Sequence, residues 1–119
     1  MKNDNIILEK SFQFSLRIIK LFNYLRSKKI EKELCTQLLK SGTSIGANIE
    51  EAIGGSSRKD FIHKLEIAYR EARETRETRY WLRLLKESGL LEIKLADSLI
   101  NDCEELLKIL SAIINSSKK

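Results

Sequence analysis

Ser41-Gly-Thr-Ser-Ile-Gly-Ala-Asn-Ile-Glu-Glu-Ala52 decides the fold of this chain, because it places a run of small residues inside an amphipathic helical repeat. Six of the seven residues from Ser41 to Ala47 are small. Glycine in a helix interior costs about 1 kcal/mol relative to alanine, so something must offset Gly42 and Gly46. Their spacing of four puts them on one face and leaves a shallow groove. A second helix can approach closely there, with Ser44, Asn48 and Glu51 beside the contact as hydrogen-bonding groups. The stretch specifies packing and names no reaction.

Outward from it, the apolar residues fall into four segments at helical period. The first covers about residues 5–27, with Asn3 or Asp4 as its N-cap. Ile7, Phe14, Ile18, Leu21 and Leu25 form its seam, and Leu8, Phe12, Ile19 and Phe22 a second row that Leu16 widens. Together they span roughly half the circumference, more than one partner seam needs, so the excess reads as an interface. After Ser27-Lys-Lys-Ile30, a second helix runs over about 31–53 with Leu34, Leu38, Ile45 and Ile49 inward. Gly54-Gly-Ser-Ser57 ends it, and Ser56 or Ser57 caps the next. The third, about 58–88, has Phe61, Leu65, Ala68, Ala72, Thr75, Leu82 and Leu85 as its core row. After Ser88-Gly89 the fourth, about 92–115, carries Ala96, Leu99, Cys103, Leu106, Leu110 and Ile113, with Ile100, Leu107 and Ile114 beside them. Short connections make neighbouring helices antiparallel, so residues 1–119 read as one all-α domain, an up-down-up-down four-helix bundle.

Composition agrees. The 119 residues include no proline and five glycines, and 33% are charged, which favours helix. Cys35 and Cys103 sit at apolar helical positions without a neighbouring Cys or His, so buried free thiols are expected over a disulfide or metal pair. No leader or membrane span fits Met1-Lys-Asn-Asp-Asn-Ile-Ile-Leu-Glu-Lys10, and a cytoplasmic protein is expected. The net charge of +5 is unevenly spread. Residues 1–86 carry 18 Lys and Arg against 11 Asp and Glu, whereas residues 87–117 carry 2 against 6. A basic body with an acidic last helix can attract nucleic acid, or let subunits meet through opposite charges.

The third helix holds the densest charge, with Arg70, Arg73, Arg76, Arg79, Arg83 and Lys86 among Glu66, Glu71, Glu74 and Glu77. Glu66–Arg70, Arg70–Glu74 and Arg73–Glu77 have i,i+4 spacing and read as surface ion pairs. Past Glu77, Arg79, Arg83 and Lys86 meet no acid until Glu87, and Tyr80 and Trp81 stand among them. Cations beside aromatics suit phosphate contact with base stacking, although Trp81 reads first as a packing anchor. Arg76, Arg79, Arg83 and Lys86 are the candidate nucleic-acid contacts, with Arg26, Lys28 and Lys29 a second cluster. Catalysis has little support. His63 is the only histidine, flanked by Lys64 and near Asp60 and Lys59. Glu51 and Glu74 on facing helices could bind metal, but the Glu-x-x-His pattern of carboxylate-bridged bundles does not occur. Gly54-Gly55 lacks the lysine and spacing of a phosphate loop. No metal, no cofactor and no enzymatic activity are expected.

Three pieces together resemble a known family: Gln37 to Ala52, Asp60-Phe61 with Lys64-Leu65, and Glu71-Ala-Arg-Glu-Thr75 followed by Tyr80-Trp-Leu82. They are similar to the four-helix-bundle proteins encoded in intervening sequences of bacterial 23S ribosomal RNA, with the accessory variability protein of diversity-generating retroelements a more distant relative. The resemblance covers nearly the whole chain. It implies a bundle that assembles into a homopentameric ring, with no established enzymatic activity. In the retroelement branch it implies a basic barrel that binds nucleic acid and associates with a reverse transcriptase. Ser44, Asn48, Glu51 and Trp81 match the motif and are assigned, with Gly42 and Gly46, to the helix-packing network. Glu74-Thr-Arg-Glu-Thr-Arg-Tyr80 duplicates a step of the family pattern, so Glu74 or Glu77 holds its acidic position. The function expected is an oligomeric accessory protein that contacts RNA or an RNA–DNA backbone. A scaffold that docks an acidic partner or a reverse transcriptase is the alternative.

Overall fold

The computed structural model describes residues 2–54 and 61–117, with side chains over 5–51 and 66–116. Four helices follow one another: α1 Lys2–Ser27, α2 Lys32–Gly54, α3 Phe61–Glu87 and α4 Ile93–Ser117. Each packs against its sequence neighbours, and α4 closes on α1, whereas α1 and α3 lie across the diagonal with no close backbone approach among the described residues. The result is an antiparallel four-helix bundle about 47 Å long.

The seams carry the core. Ile7, Phe14, Ile18, Leu21 and Leu25 of α1, Leu38, Ile45 and Ile49 of α2, Leu82 and Leu85 of α3 and Leu99, Cys103, Leu106 and Leu110 of α4 are all buried. Two expectations shift. Asn3 and Asp4 lie within α1, which begins at Lys2, and so are not its cap. In α4 the last core residue is Ile114, with Ile113 only partly buried. A straight helix at 3.6 residues per turn drifts off a strict seven-residue repeat, so the final step inward becomes four residues instead of three. The expected cap at Ser56 or Ser57, and the Phe61, His63 and Leu65 side chains, lie outside the described residues.

Gly42 and Gly46 hold α1 and α2 close. A Cβ on Gly42 would lie 2.8 Å from Ile18 Cγ1, and one on Gly46 would lie 3.1 Å from the Ser11 carbonyl oxygen. Both clefts are filled by α1, which offsets the helical cost of the two glycines. At one end of the bundle, where α1 and α3 both finish, two turns use the left-handed region: Gly89 at φ 79° after α3, and Lys29 at φ 59° after α1. Ile30 N–H donates to the Leu25 carbonyl at 3.0 Å and Leu90 N–H to the Leu85 carbonyl at 3.0 Å, closing both helix ends in the same way.

Candidate nucleic-acid interface

The α2–α3 seam is polar where the others are apolar. Ala68, Glu71, Thr75, Thr78, Leu82 and Leu85 recur at alternating spacings of three and four, and all are buried. Glu71 is fully enclosed, with Oε1 accepting from Asn48 Nδ2 at 3.3 Å and Oε2 from Arg70 Nε at 3.0 Å. Seven residues along each helix, the hydroxyls of Ser41 and Thr78 are hydrogen bonded at 3.0 Å. The rungs 41–78 and 48–71 share one antiparallel register, about 10 Å apart along the axis. A slip of either helix would take the Asn48 donor from Oε1 of the enclosed carboxylate and leave it only Arg70 of its own helix, a loss of about 1–3 kcal/mol. Among the described residues no buried side-chain polar atom lacks a partner.

Glu71 is the residue that sequence reasoning missed. Along the chain it stands within the dense charge of α3, yet its place in the three–four repeat with Ala68 and Thr75 turns it inward. Glu51, expected at the contact, is exposed, and Ser44 hydrogen-bonds within its own helix to the Lys40 carbonyl. Ser41 makes the cross-helix contact instead. Glu74 is partly buried; burial, then Glu77 and Glu71, push its carboxyl above the usual range. Glu77 is exposed and accepts a hydrogen bond from Trp81 Nε1 at 3.0 Å. Trp81 is partly buried against the core, as a packing anchor should be.

The charges do not pair along α3 as the i,i+4 spacing suggested. Arg70 turns to Glu71, and the other ion pairs among the described residues run between helices. Arg79 reaches Glu104 at 2.6 Å and Lys86 reaches Asp97 at 2.7 Å. On its other flank α4 engages α1 through Arg17–Asp102 at 2.6 Å and Lys10–Glu105 at 3.1 Å. Asp97, Asp102, Glu104 and Glu105 of α4 are therefore each occupied by a cation of the same chain. The physical reason is the antiparallel packing, which lays the acidic helix between two basic ones. Partly exposed pairs of this kind contribute about 0–1 kcal/mol each, but they neutralise Arg79 and Lys86 where they stand.

Arg76 and Arg83 behave differently. With Arg73 they make no ion pair among the described residues, and all three are exposed. Helical spacing places Tyr69, Arg73, Arg76, Tyr80, Arg83 and Leu84 within an arc of about 100° on the outer face of α3. The second cluster is elsewhere. Arg26 donates to the Ile30 carbonyl at 2.6 Å, the Lys28 ammonium sits 5.7 Å from the Tyr24 ring centroid, and Lys29 forms the turn itself. Arg26 stands in the last turn of α1, the helix diagonal to α3, and Lys28 and Lys29 lie in the turn that follows it.

No group of three or more His, Cys, Asp and Glu that could hold a metal ion occurs among the described residues. Cys35 and Cys103 are buried free thiols, and burial pushes the Cys103 thiol up to about 12. Among the described residues no helix is long and apolar enough to cross a membrane.

Fold and seam define the class: an all-helical bundle whose polar groups serve packing on the inside and charge display on the outside. The chain belongs to the 23S rRNA-intervening sequence protein family, whose sequence profile matches residues 3–112. Among solved structures it is similar to a protein of unknown function from the S23 ribosomal protein family of Bacteroides thetaiotaomicron, determined at 1.70 Å. The two share 41% sequence identity and superpose with a TM-score of 0.82 over 95% of this chain and 98% of that one. No curated protein matches the chain.

Proposed function

We propose that this protein is a non-enzymatic accessory protein that assembles as a ring-like homo-oligomer and holds the backbone of RNA or an RNA–DNA hybrid against the outer face of α3. The observation that carries the reading is the division of charge on that helix. Arg79 and Lys86 are satisfied by α4, whereas Arg73, Arg76 and Arg83 face outward without an acid among the described residues. Unpaired arginines are suited to phosphate, which they meet with a planar pair of donors. Arg76 and Arg83 are the leading contacts, and Arg79 and Lys86 contribute only through the local field.

Assembly is supported by the opposite corner. Phe12, Leu16 and Ile19 remain 57%, 41% and 44% exposed on the outer face of α1. Because α1 and α3 are diagonal, subunits that meet through α1 leave α3 open. A ring, of five subunits by the family resemblance, would then repeat a weak phosphate site so that its copies act together. The family description makes 23S ribosomal RNA the first ligand to try.

The test is filter binding to RNA at ~100 mM salt, with light scattering on the same samples. Arg76→Glu with Arg83→Glu should abolish most binding, flatten the salt slope by about 1 per lost contact and leave helicity intact. Leu16→Glu should separate the subunits. Unchanged affinity in the double variant removes these contacts. An absence of any salt-dependent RNA binding favours instead a scaffold that docks an acidic protein, a reverse transcriptase among the candidates.

A further inference from the structure

Resting on the nucleic-acid reading above, the geometry points to a single strand as the ligand: we infer that Tyr69 and Tyr80 are stacking platforms for unpaired bases, with Arg73, Arg76 and Arg83 holding the phosphates between and beyond them. Tyr69 is 45% exposed and Tyr80 54%, on the same outer face of α3 as the three arginines. Eleven residues separate the two rings, about 16 Å along the helix, a span of a few nucleotides. Tyr80 meets Trp81 edge-on, with centroids 5.3 Å apart and planes at 69°, so Trp81 covers at most one of its flat faces.

A surface that only gripped phosphate would gain nothing from half-exposed tyrosines. In a duplex the faces of the bases are already stacked on one another, and a convex helix side has no second element with which to unstack them. Rings interleaved with unpaired guanidinium groups are useful when bases are free to lie on them. The exposed acids limit the length of the site. Glu66 and Glu87 lie beyond its two ends and repel phosphate, which confines the backbone to the stretch between them. Glu77, at the edge of the arc, is engaged by the Trp81 indole.

The experiment compares oligouridine with the oligouridine–oligoadenine duplex of equal length, using the intact protein. Trp81 is the only tryptophan and touches Tyr80, so its fluorescence reports stacking directly. Oligouridine should bind more tightly than the duplex and change the Trp81 emission, while the duplex should not. Tyr80→Ala should weaken oligouridine binding about tenfold, Tyr80→Phe should retain it, and duplex affinity should stay level in both. Circular dichroism confirms that the variants keep their helices. If oligouridine and duplex bind equally and Tyr80→Ala matches Tyr80→Phe, the single-strand assignment fails while nucleic-acid binding stands. If neither ligand binds, both fall together.

Discussion

Gly42→Ala isolates the contact on which the α1–α2 pairing depends. The new Cβ would lie 2.8 Å from Ile18 Cγ1, 2.9 Å from Cγ2 and 3.2 Å from Cδ1, inside the 3.5–4.0 Å at which carbon atoms attract. Ile18 is fully buried and β-branched, with one strongly preferred χ1 in a helix, so it cannot swing away. The helices must part instead. Overpacking of this kind costs about 1–3 kcal/mol, against about 1 kcal/mol gained in helix propensity, for a net loss of about 1 kcal/mol. For a domain of this size that is a fall of roughly 3–5 °C in Tm. Ile18→Ala removes all three clashing atoms at its own cost of about 2–5 kcal/mol. In that background Gly42→Ala should reverse sign and stabilise by up to about 1 kcal/mol. Urea unfolding followed by circular dichroism measures the cycle. Gly46→Ala is the control, since its Cβ would meet the Ser11 backbone oxygen at 3.1 Å, which Ile18→Ala does not remove. Equal stabilisation by Gly42→Ala in both backgrounds would falsify the close approach.

Lys29 adopts φ 59° without being glycine, so Lys29→Gly should stabilise the fold by about 1 kcal/mol in a thermal melt. No gain there would mean that the turn bears no strain. Glu74 has a folded pKa raised above its ordinary 4.5 by burial and by Glu77 and Glu71. The folded state therefore holds this proton more tightly than the unfolded chain, and stability is lost as pH rises through the folded value. Glu74→Gln should accordingly raise Tm near neutral pH and lose its advantage below about pH 4; an advantage that persists in acid contradicts the assignment. Both thiols are buried, and that of Cys103 is raised to about 12. Neither should react with a thiol reagent at mildly alkaline pH until the chain unfolds, and rapid labelling of the native protein would show an open core.

Much of the architecture was legible along the chain. The three–four spacing of Ile7, Phe14, Ile18, Leu21 and Leu25 marks a buried stripe whatever lies opposite, because helical periodicity is local. The same holds for the groove at Gly42 and Gly46, where small side chains are legible before the neighbour is known. Even Glu71 carries its own signal, in step with Ala68 and Thr75, although a carboxylate at such a position is costly to bury without the partners that only the neighbouring helix supplies.

What the sequence by itself determined, then, is four helices, their inward faces and a surplus of apolar area on the first. Only the tertiary structure decided which charges remain free. Arg79 and Arg83 are one turn apart and chemically identical, yet one faces Glu104 and the other faces outward. Ion pairing depends on which helix lies alongside and in what register: Ser41 with Thr78 and Asn48 with Glu71 fix α3 against α2, and the packing of α4 on the other flank of α3 decides which arginine meets an acid. A charge pattern read along one helix carries no information about its neighbour, so the open face of α3 emerged only when α4 was in place.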